Sequence, residues 1–355
     1  MASPLFEPLT LGTQTFANRI WVSPMCQYSS HNGLANDWHL VHLGALATGR
    51  PGLVMTEATS VTPEARIAPE DLGLWSDAHA EALEPVVHAV HAQQVPLGIQ
   101  LAHAGRKAST FSSWRGNGSV PLEQGGWETL APSAVAFGDF AVPREMTHGD
   151  LSAVKAGFVS AARRAAVLGV DVIEVHAAHG YLLHEFLSPL SNLRTDEYGG
   201  DLEGRMRYPL EVIEAVREVW PEGRPLFVRI SATDWVEGGW DVEDSVEFSR
   251  RAKALGVDLI DVSSAGLDPG QSISVGPGYQ VPFAERIRRE VQIPTAAVGL
   301  ITEPSQAQEI IAEGRADAVM LGRVLLREPR WPLRAAHELG EKVAWPNQLA
   351  RGAYS

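Results

Sequence analysis

Two histidines, His176 and His179, stand with Tyr181 in the stretch His176-Ala-Ala-His179-Gly-Tyr181. Histidines so spaced serve as zinc ligands, as hydrogen-bond donors to a substrate oxygen, or as satisfied core residues. A metal site needs a third and usually a fourth ligand. His103 and Glu57 are the candidates, but no metal motif is completed in sequence. The Tyr181 phenol is either a proton donor or an aromatic plug with its hydroxyl satisfied. Gly299 and Gly322-Arg323 suit a phosphate cradle of backbone N–H groups plus a cation, or equally tight turns with a surface ion pair. Arg229 lies inside the apolar run Leu226–Ile230, where a guanidinium must be paired, by a structural carboxylate or by an anionic or electron-rich ligand. Cys26, the single cysteine, reads by itself as a small buried hydrophobe.

These residues need elements to carry them. A phrase repeats along the chain: Leu168-Gly169-Val170-Asp171-Val172-Ile173-Glu174-Val175, then Leu255-Gly256-Val257-Asp258-Leu259-Ile260-Asp261-Val262, then Gly314-Arg315-Ala316-Asp317-Ala318-Val319-Met320-Leu321. A fainter copy runs from Gly49 to Met55. Before the first copy, Val154, Phe158, Ala162, Ala165 and Leu168 recur at helical spacing. The glycine is a left-handed helix stop and the β-branched run a strand buried on both faces. Helix, stop and buried strand in repetition describe parallel βα units. Eight such runs are present: Arg19–Ser23, Leu53–Glu57, Leu97–Leu101, Val172–His176, Leu226–Ile230, Leu259–Ser263, Thr295–Val298 and Ala318–Leu321. Helices are expected over Asp77–Ala92, Met206–Val219, Val242–Leu255 and Pro304–Glu313.

The fold class expected is α/β, an eight-stranded (β/α)8 TIM barrel forming one domain over residues 1–355. It carries a capping insertion at 102–150, between strands 3 and 4, and a C-terminal helix and arm at 328–355. No Gly-x-Gly-x-x-Gly follows the first strand, which argues against a dinucleotide-binding open sheet. In a TIM barrel the site lies at the C-terminal strand ends, where His103, His176, His179, Tyr181, Arg229 and Arg323 all fall. That rim is expected to be locally basic on an acidic protein.

The chain has 355 residues, 29 Lys plus Arg, 43 Asp plus Glu and a formal net charge of −14. This balance argues against sequence-independent binding to nucleic acid or anionic membranes. One cysteine excludes an intramolecular disulfide, a multi-cysteine zinc site and a cysteine-held iron–sulfur cluster within one chain. Met1-Ala2-Ser3-Pro4-Leu5-Phe6 has no basic segment before an apolar run, and no apolar stretch is long enough to span a bilayer. A cytoplasmic protein is expected.

Three segments together resemble one family. They are Ser23-Pro24-Met25-Cys26-x-Tyr28, His103-Ala-Gly-Arg106-Lys107, and the run from His176 through Tyr181, Phe186, Asn192, Arg194, Asp196 and Tyr198 to Gly200. The sequence resembles the old yellow enzyme family, most closely its bacterial thermophilic-like branch of ene reductases, from Pro4 to the tail. The resemblance implies one noncovalent FMN, contacted by Ser23, Pro24, Met25, Cys26, Ala58, Gln100, Arg229, Gly299, Gly322 and Arg323. Gln100 and Arg229 would face the pyrimidine edge, where negative charge gathers on reduction. Cys26 would modulate the flavin potential and Tyr28 would line the substrate pocket.

The implied reaction begins with NADPH or NADH giving hydride to the flavin. An activated alkene is then reduced, its carbonyl or nitro oxygen held by His176 and His179 while Tyr181 protonates the α-carbon. Pro346-x-Gln348-x-x-Arg351-Gly352 resembles the arm that, in this branch, reaches a neighbouring subunit's pocket. A homodimer or homotetramer with Arg351 acting in trans is therefore implied. Gln27 stands where the branch often has Met, and Asp201 and Gly204 depart from the pattern Tyr-Gly-Gly-Ser-x-Glu-Asn-Arg. Two other readings compete: a metal-dependent barrel hydrolase using His176, His179 and His103, and a flavin-binding carrier without alkene turnover.

Overall fold

A computed structural model describes residues 3–354. Met1 and Ala2, part of the stretch read for a secretory signal, and Ser355 lie outside the described residues. Eight parallel strands close a barrel: β1 (Ile20–Val22), β2 (Leu53–Ser60), β3 (Leu97–Ala102), β4 (Val172–Ala177), β5 (Leu226–Ser231), β6 (Leu259–Ser263), β7 (Thr295–Ala297) and β8 (Ala318–Leu321). Each matches one of the apolar runs read from the sequence. β2 runs longer than its apolar core because a register shift between Met55 and Ala58 lets it continue to Ser60. Helices α1 (Asp37–Ala47), α2 (Asp77–His91), α3 (His148–Val167), α5 (Leu202–Val219), α6 (Val242–Ala254), α7 (Val281–Val291) and α8 (Pro304–Ala312) form crossovers; a short α4 (Leu182–Leu187) follows β4.

The repeated phrase has two jobs. Gly169, Gly256 and Gly314 all take positive φ, as a left-handed stop requires. In the fainter copy it is Arg50, not Gly49, that takes positive φ. Gly49 is needed for space instead, since a Cβ there would lie 2.1 Å from the Pro329 carbonyl oxygen. The aspartate of each strong copy accepts the amide N–H at the start of the preceding strand: Asp171 from Leu97 at 2.8 Å, Asp258 from Leu226 at 2.8 Å and Asp317 from Thr295 at 3.0 Å. The repeat thus ties neighbouring strands at the lower end of the barrel, away from the site.

Alternation along the strands separates the barrel interior into a floor and a mouth. Trp21, Leu53, Met55, Val172, Phe227, Leu259, Ala296 and Ala318 pack together inside the floor. Phe16 of the N-terminal hairpin (Leu9–Leu11 with Gln14–Phe16) plugs it, 4.7 Å centroid to centroid from Trp21, which stacks on Phe227 at 5.6 Å. One repeat of alternation higher, β3 to β6 carry Gln100, Glu174, Arg229 and Asp261, and Ser23 follows β1, all buried. Intervening residues such as Ile173, Val175, Val228 and Ile230 face outward into the larger helix-packed core.

Two expected boundaries move. The insertion spans only 103–147, with a two-stranded ribbon pairing Leu130–Ala131 with Arg144–Glu145, because α3 begins at His148, where Thr147 caps Asp150 N–H and Asp150 reaches back to the Thr147 amide. Helix α5 begins at Leu202, ahead of the expected Met206, with the Asp201 side chain accepting Gly204 N–H at 2.9 Å. The departure at Asp201 is therefore a helix cap. After a short helix at Arg323–Arg327, the tail forms a helix at Trp331–Glu338, then a 3-10 turn at Asn347–Gly352. Tyr354 folds back to stack on His337 at 4.8 Å. Among the described residues no helix is long and apolar enough to cross a membrane.

Candidate active site

His176 lies on β4 beside Arg229 of β5 in the sheet register. Its ring centroid is 5.2 Å from those of both His179 and Tyr181. The chain turns sharply to achieve this, with φ of +59° at His179 and +70° at Gly180. No side chain fits at Gly180, where a Cβ would meet the Gly266 carbonyl oxygen at 2.1 Å. Several backbone groups of this turn are held by neighbours. His179 N–H donates to Ser231 Oγ (2.9 Å), Lys107 Nζ donates to the His179 carbonyl (2.8 Å), and Tyr181 N–H donates to the Ala178 carbonyl (3.1 Å).

Burial first, then Arg229, pushes both His176 and His179 well below the usual imidazole range. Both rings are neutral at neutral pH. His179 Nε2 lies 2.8 Å from Ser263 Oγ. The same hydroxyl also donates toward Gln280 Oε1 at 3.4 Å. His176 Nδ1 is buried and has no hydrogen-bond partner among the described residues. The Tyr181 phenol is pushed up by burial, then by Cys26 and Asp71, and stays protonated. Lys107 Nζ lies 5.0 Å from the Tyr181 ring centroid, and burial lowers its ammonium to about 8.

Below this group, Arg229 Nε lies 3.1 Å from Asp261 Oδ2, and Gln100 Nε2 donates to Glu174 Oε1 at 2.8 Å. Burial, then Asp261, pushes Glu174 up to about 8. Burial raises the Asp261 carboxyl as well, against the pull of Arg229, so one guanidinium faces two buried carboxyl groups that compete for it. Of the locally basic rim expected, the histidines are neutral and Arg229 is paired, while Arg323 remains an exposed cation.

The loop after β1 brings Ser23, Pro24, Met25, Cys26 and Tyr28 to the same end of the barrel. Ser23 N–H donates to the Leu321 carbonyl at 3.0 Å, and a Cβ on Gly322 would lie 3.7 Å from Met25 Sδ. Gln27 is structural: it donates to the Met25 carbonyl at 2.9 Å and accepts Trp38 Nε1–H at 3.1 Å. Burial, then Asp71 and Glu57, pushes the Cys26 thiol up, so it is not a thiolate. Tyr28 meets Trp114 of the insertion edge-on at 5.8 Å. Ala58 is buried on β2. Gly299 follows β7 and Gly322 precedes the helix at Arg323–Arg327. Arg323 is exposed and forms no ion pair among the described residues. Arg351 is exposed on the arm.

The metal candidates do not assemble. Glu57 accepts Gln27 N–H at 2.8 Å and lies 3.3 Å from His39 Nε2. His103 Nδ1 accepts Gly105 N–H at 3.0 Å. Among the described residues, the groups with metal-ligand spacing are Cys26/Glu57/Asp71 and His148/Asp196/Glu197, and neither includes His176 or His179. Sequence reading missed Ser231, Ser263 and Asp261, whose link to the site exists only through neighbouring strands; Lys107 stood in a quoted motif without a role.

The family model described as NADH:flavin oxidoreductase / NADH oxidase family matches residues 4–342. An NADPH dehydrogenase of Geobacillus thermodenitrificans is 51% identical over 355 residues, covering 99% of both chains. An NADPH dehydrogenase of Bacillus subtilis is 47% identical, covering 99% of this chain and 100% of its own. Among solved structures, morphinone reductase superposes with a TM-score of 0.79 at 29% identity, covering 98% of this chain and 92% of its own. An old yellow enzyme homologue from Zymomonas mobilis gives 0.78 at 25% identity, covering 97% and 95%. With its closed barrel and the histidine pair and tyrosine at the β4 mouth, the chain belongs to the NADH:flavin oxidoreductase / NADH oxidase family, the FMN-dependent oxidoreductases of old yellow enzyme type.

Proposed function

We propose that the protein reduces the activated C=C bond of α,β-unsaturated carbonyl or nitro compounds, with NADPH or NADH as reductant. The observation that carries this reading is the neutral pair His176 and His179 beside a protonated Tyr181, with His176 Nδ1 buried and without a hydrogen-bond partner among the described residues. FMN, when bound, would supply the hydride chemistry that couples nicotinamide oxidation to reduction of the alkene at its β-carbon. The residues present suit that group. Ser23, Pro24, Met25, Cys26, Ala58 and Gln100 would hold its ring system, and Arg229 would offer a cation to it. Exposed Arg323, with Gly299 and Gly322, is free to hold its phosphate.

This chain's residues do the rest. His176 and His179 donate to the substrate oxygen and stabilise the negative charge that grows there; one such donor typically contributes about 10²–10³ in rate. Tyr181 delivers its hydroxyl proton to the α-carbon, with Lys107 beside the ring to temper the charge left on the phenol. Tyr28 and Trp114 form one wall of the pocket. We also propose one FMN-binding unit over residues 1–355, residues 103–147 serving as a lid, in a cytoplasmic homodimer or homotetramer. Arg351 has no hydrogen bond or ion pair to the catalytic cluster among the described residues, in keeping with action on a neighbouring subunit.

Anaerobic mixing of the reduced protein with cyclohexenone is the direct test. Rapid return of the oxidised flavin spectrum is expected. A yellow protein that stays reduced would mark a flavin carrier, and a colourless metal-containing protein a hydrolase.

A further inference from the structure

The run after Tyr181 contains His184, a residue the catalytic assignment leaves without a role. His184 and Asp234 are both fully buried, with His184 Nε2 2.9 Å from Asp234 Oδ1 in a bent contact. On its other side, His184 Nδ1 receives the amide N–H of Gly180 at 2.9 Å. Gly180 is the residue between His179 and Tyr181. A backbone amide can only donate, so Nδ1 must be bare and the ring proton must lie on Nε2, toward the carboxylate. The second oxygen of Asp234 is committed elsewhere: Oδ2 accepts Ser188 Oγ–H at 2.7 Å and Trp240 N–H at 2.8 Å.

We infer that Asp234 and His184 form a positioning dyad: the carboxylate holds His184 in the Nε2–H tautomer, and the bare Nδ1 then pins the Gly180 amide, setting His179 and Tyr181 against the substrate. Neither residue touches substrate. The inference rests on the proposed roles of His179 and Tyr181. The other hydrogen bonds of the turn, from Lys107, Ser231 and Ala178, fix His179 and the Tyr181 amide but leave the Gly180 amide to His184 alone.

The dyad makes an unusual forecast for an isosteric change. In Asp234→Asn, the fixed Trp240 N–H requires an acceptor, so the amide oxygen takes the Oδ2 place and the NH2 group faces His184. His184 Nε2 must then accept, its proton moves to Nδ1, and Nδ1–H meets Gly180 N–H donor to donor. The contact that pins the turn becomes a repulsion. In His184→Asn the side-chain oxygen can sit where Nδ1 sat and accept the Gly180 N–H with no help from residue 234. Combining it with Asp234→Asn therefore restores the pin.

The test uses the FMN-loaded protein. Long-range proton–nitrogen spectra of histidine-labelled protein report which His184 nitrogen is protonated, independently of activity. Stopped flow separates flavin reduction by NADPH from reoxidation by cyclohexenone. Asp234→Asn is expected to move the proton from Nε2 to Nδ1 and to slow reoxidation by about 10- to 100-fold, the usual cost of a small misplacement, while sparing reduction. The double variant is expected to recover most of that loss, a coupling that a general loss of stability would not produce. A proton that stays on Nε2, a double variant as slow as Asp234→Asn, or unchanged reoxidation in Asp234→Asn while Tyr181→Phe is slow would each overturn the dyad. If Tyr181→Phe itself reoxidises normally, the reading of Tyr181 falls, and the His184 spectrum alone decides the dyad.

Discussion

Arg229 Nε and Asp261 Oδ2 lie 3.1 Å apart in the barrel mouth, so the cation offered to a ligand there is already answered by a buried carboxylate. Glu174 stands behind the pair with its carboxyl pushed up, chiefly by burial. Asp261→Asn alone would let Glu174 give up its proton and take Asp261's place. Only Asp261→Asn combined with Glu174→Gln leaves Arg229 its full charge. That double variant is expected to raise the flavin midpoint potential by roughly 30 mV, the equivalent of about 1.4 kcal/mol for two electrons. Dye-coupled reductive titration measures it; an unchanged or lower potential counts against the assignment of Arg229.

Tyr181 is assigned the proton given to the α-carbon. Tyr181→Phe should slow flavin reoxidation by an enone by about 10²-fold or more and leave reduction by NADPH intact. Rapid mixing of each half-reaction shows this directly. Slowed reduction with normal reoxidation would mean the tyrosine serves the nicotinamide and not the alkene.

Arg351 is exposed on a 3-10 turn of the arm. If it completes a neighbour's pocket, Arg351→Ala should raise KM for the alkene, and the protein should sediment as a multiple of its 38.4 kDa chain. A monomer, or unchanged substrate kinetics, removes the trans role.

Burial holds His103 near a pKa of about 3 in the folded state, while an unfolded histidine titrates near the ordinary value of 6.5. Below about pH 6.5 the unfolded chain takes up a proton that the folded chain refuses, so stability falls with pH. The contribution is present above that point and lost on acidification, by about 2 kcal/mol between pH 7 and pH 5. His103→Asn keeps an acceptor for the Gly105 amide but cannot titrate. Urea denaturation at the two pH values should show a smaller loss for the variant than for the wild type; equal losses would contradict the burial argument.

The strands were legible because a strand buried on both faces must be an unbroken apolar, β-branched run, and eight such runs stand in order. Boundaries were less legible where local signals conflict. Gly204 and Pro209 resemble breakers, yet both sit inside α5, where Asp201 caps the start and packing carries the helix through. Thr147 and Asp150 were a readable capping pair that the loop-like composition around them obscured. The aspartate of the repeated phrase was visible as a pattern, but its bond to the previous strand's first amide was not, because that amide lies far away in sequence.

The sequence by itself determined the barrel, the end of it that bears chemistry and the side chains gathered there, since strand periodicity and motif order are local properties. Tertiary structure alone decided the electrical state of those side chains. Whether Arg229 is a free cation and whether Glu174 is charged both depend on partners from other strands: Asp261 for Arg229, and both Asp261 and Gln100 for Glu174. A buried group's charge is set by what lies within a few ångströms of it, and closing the barrel is what brings those residues together.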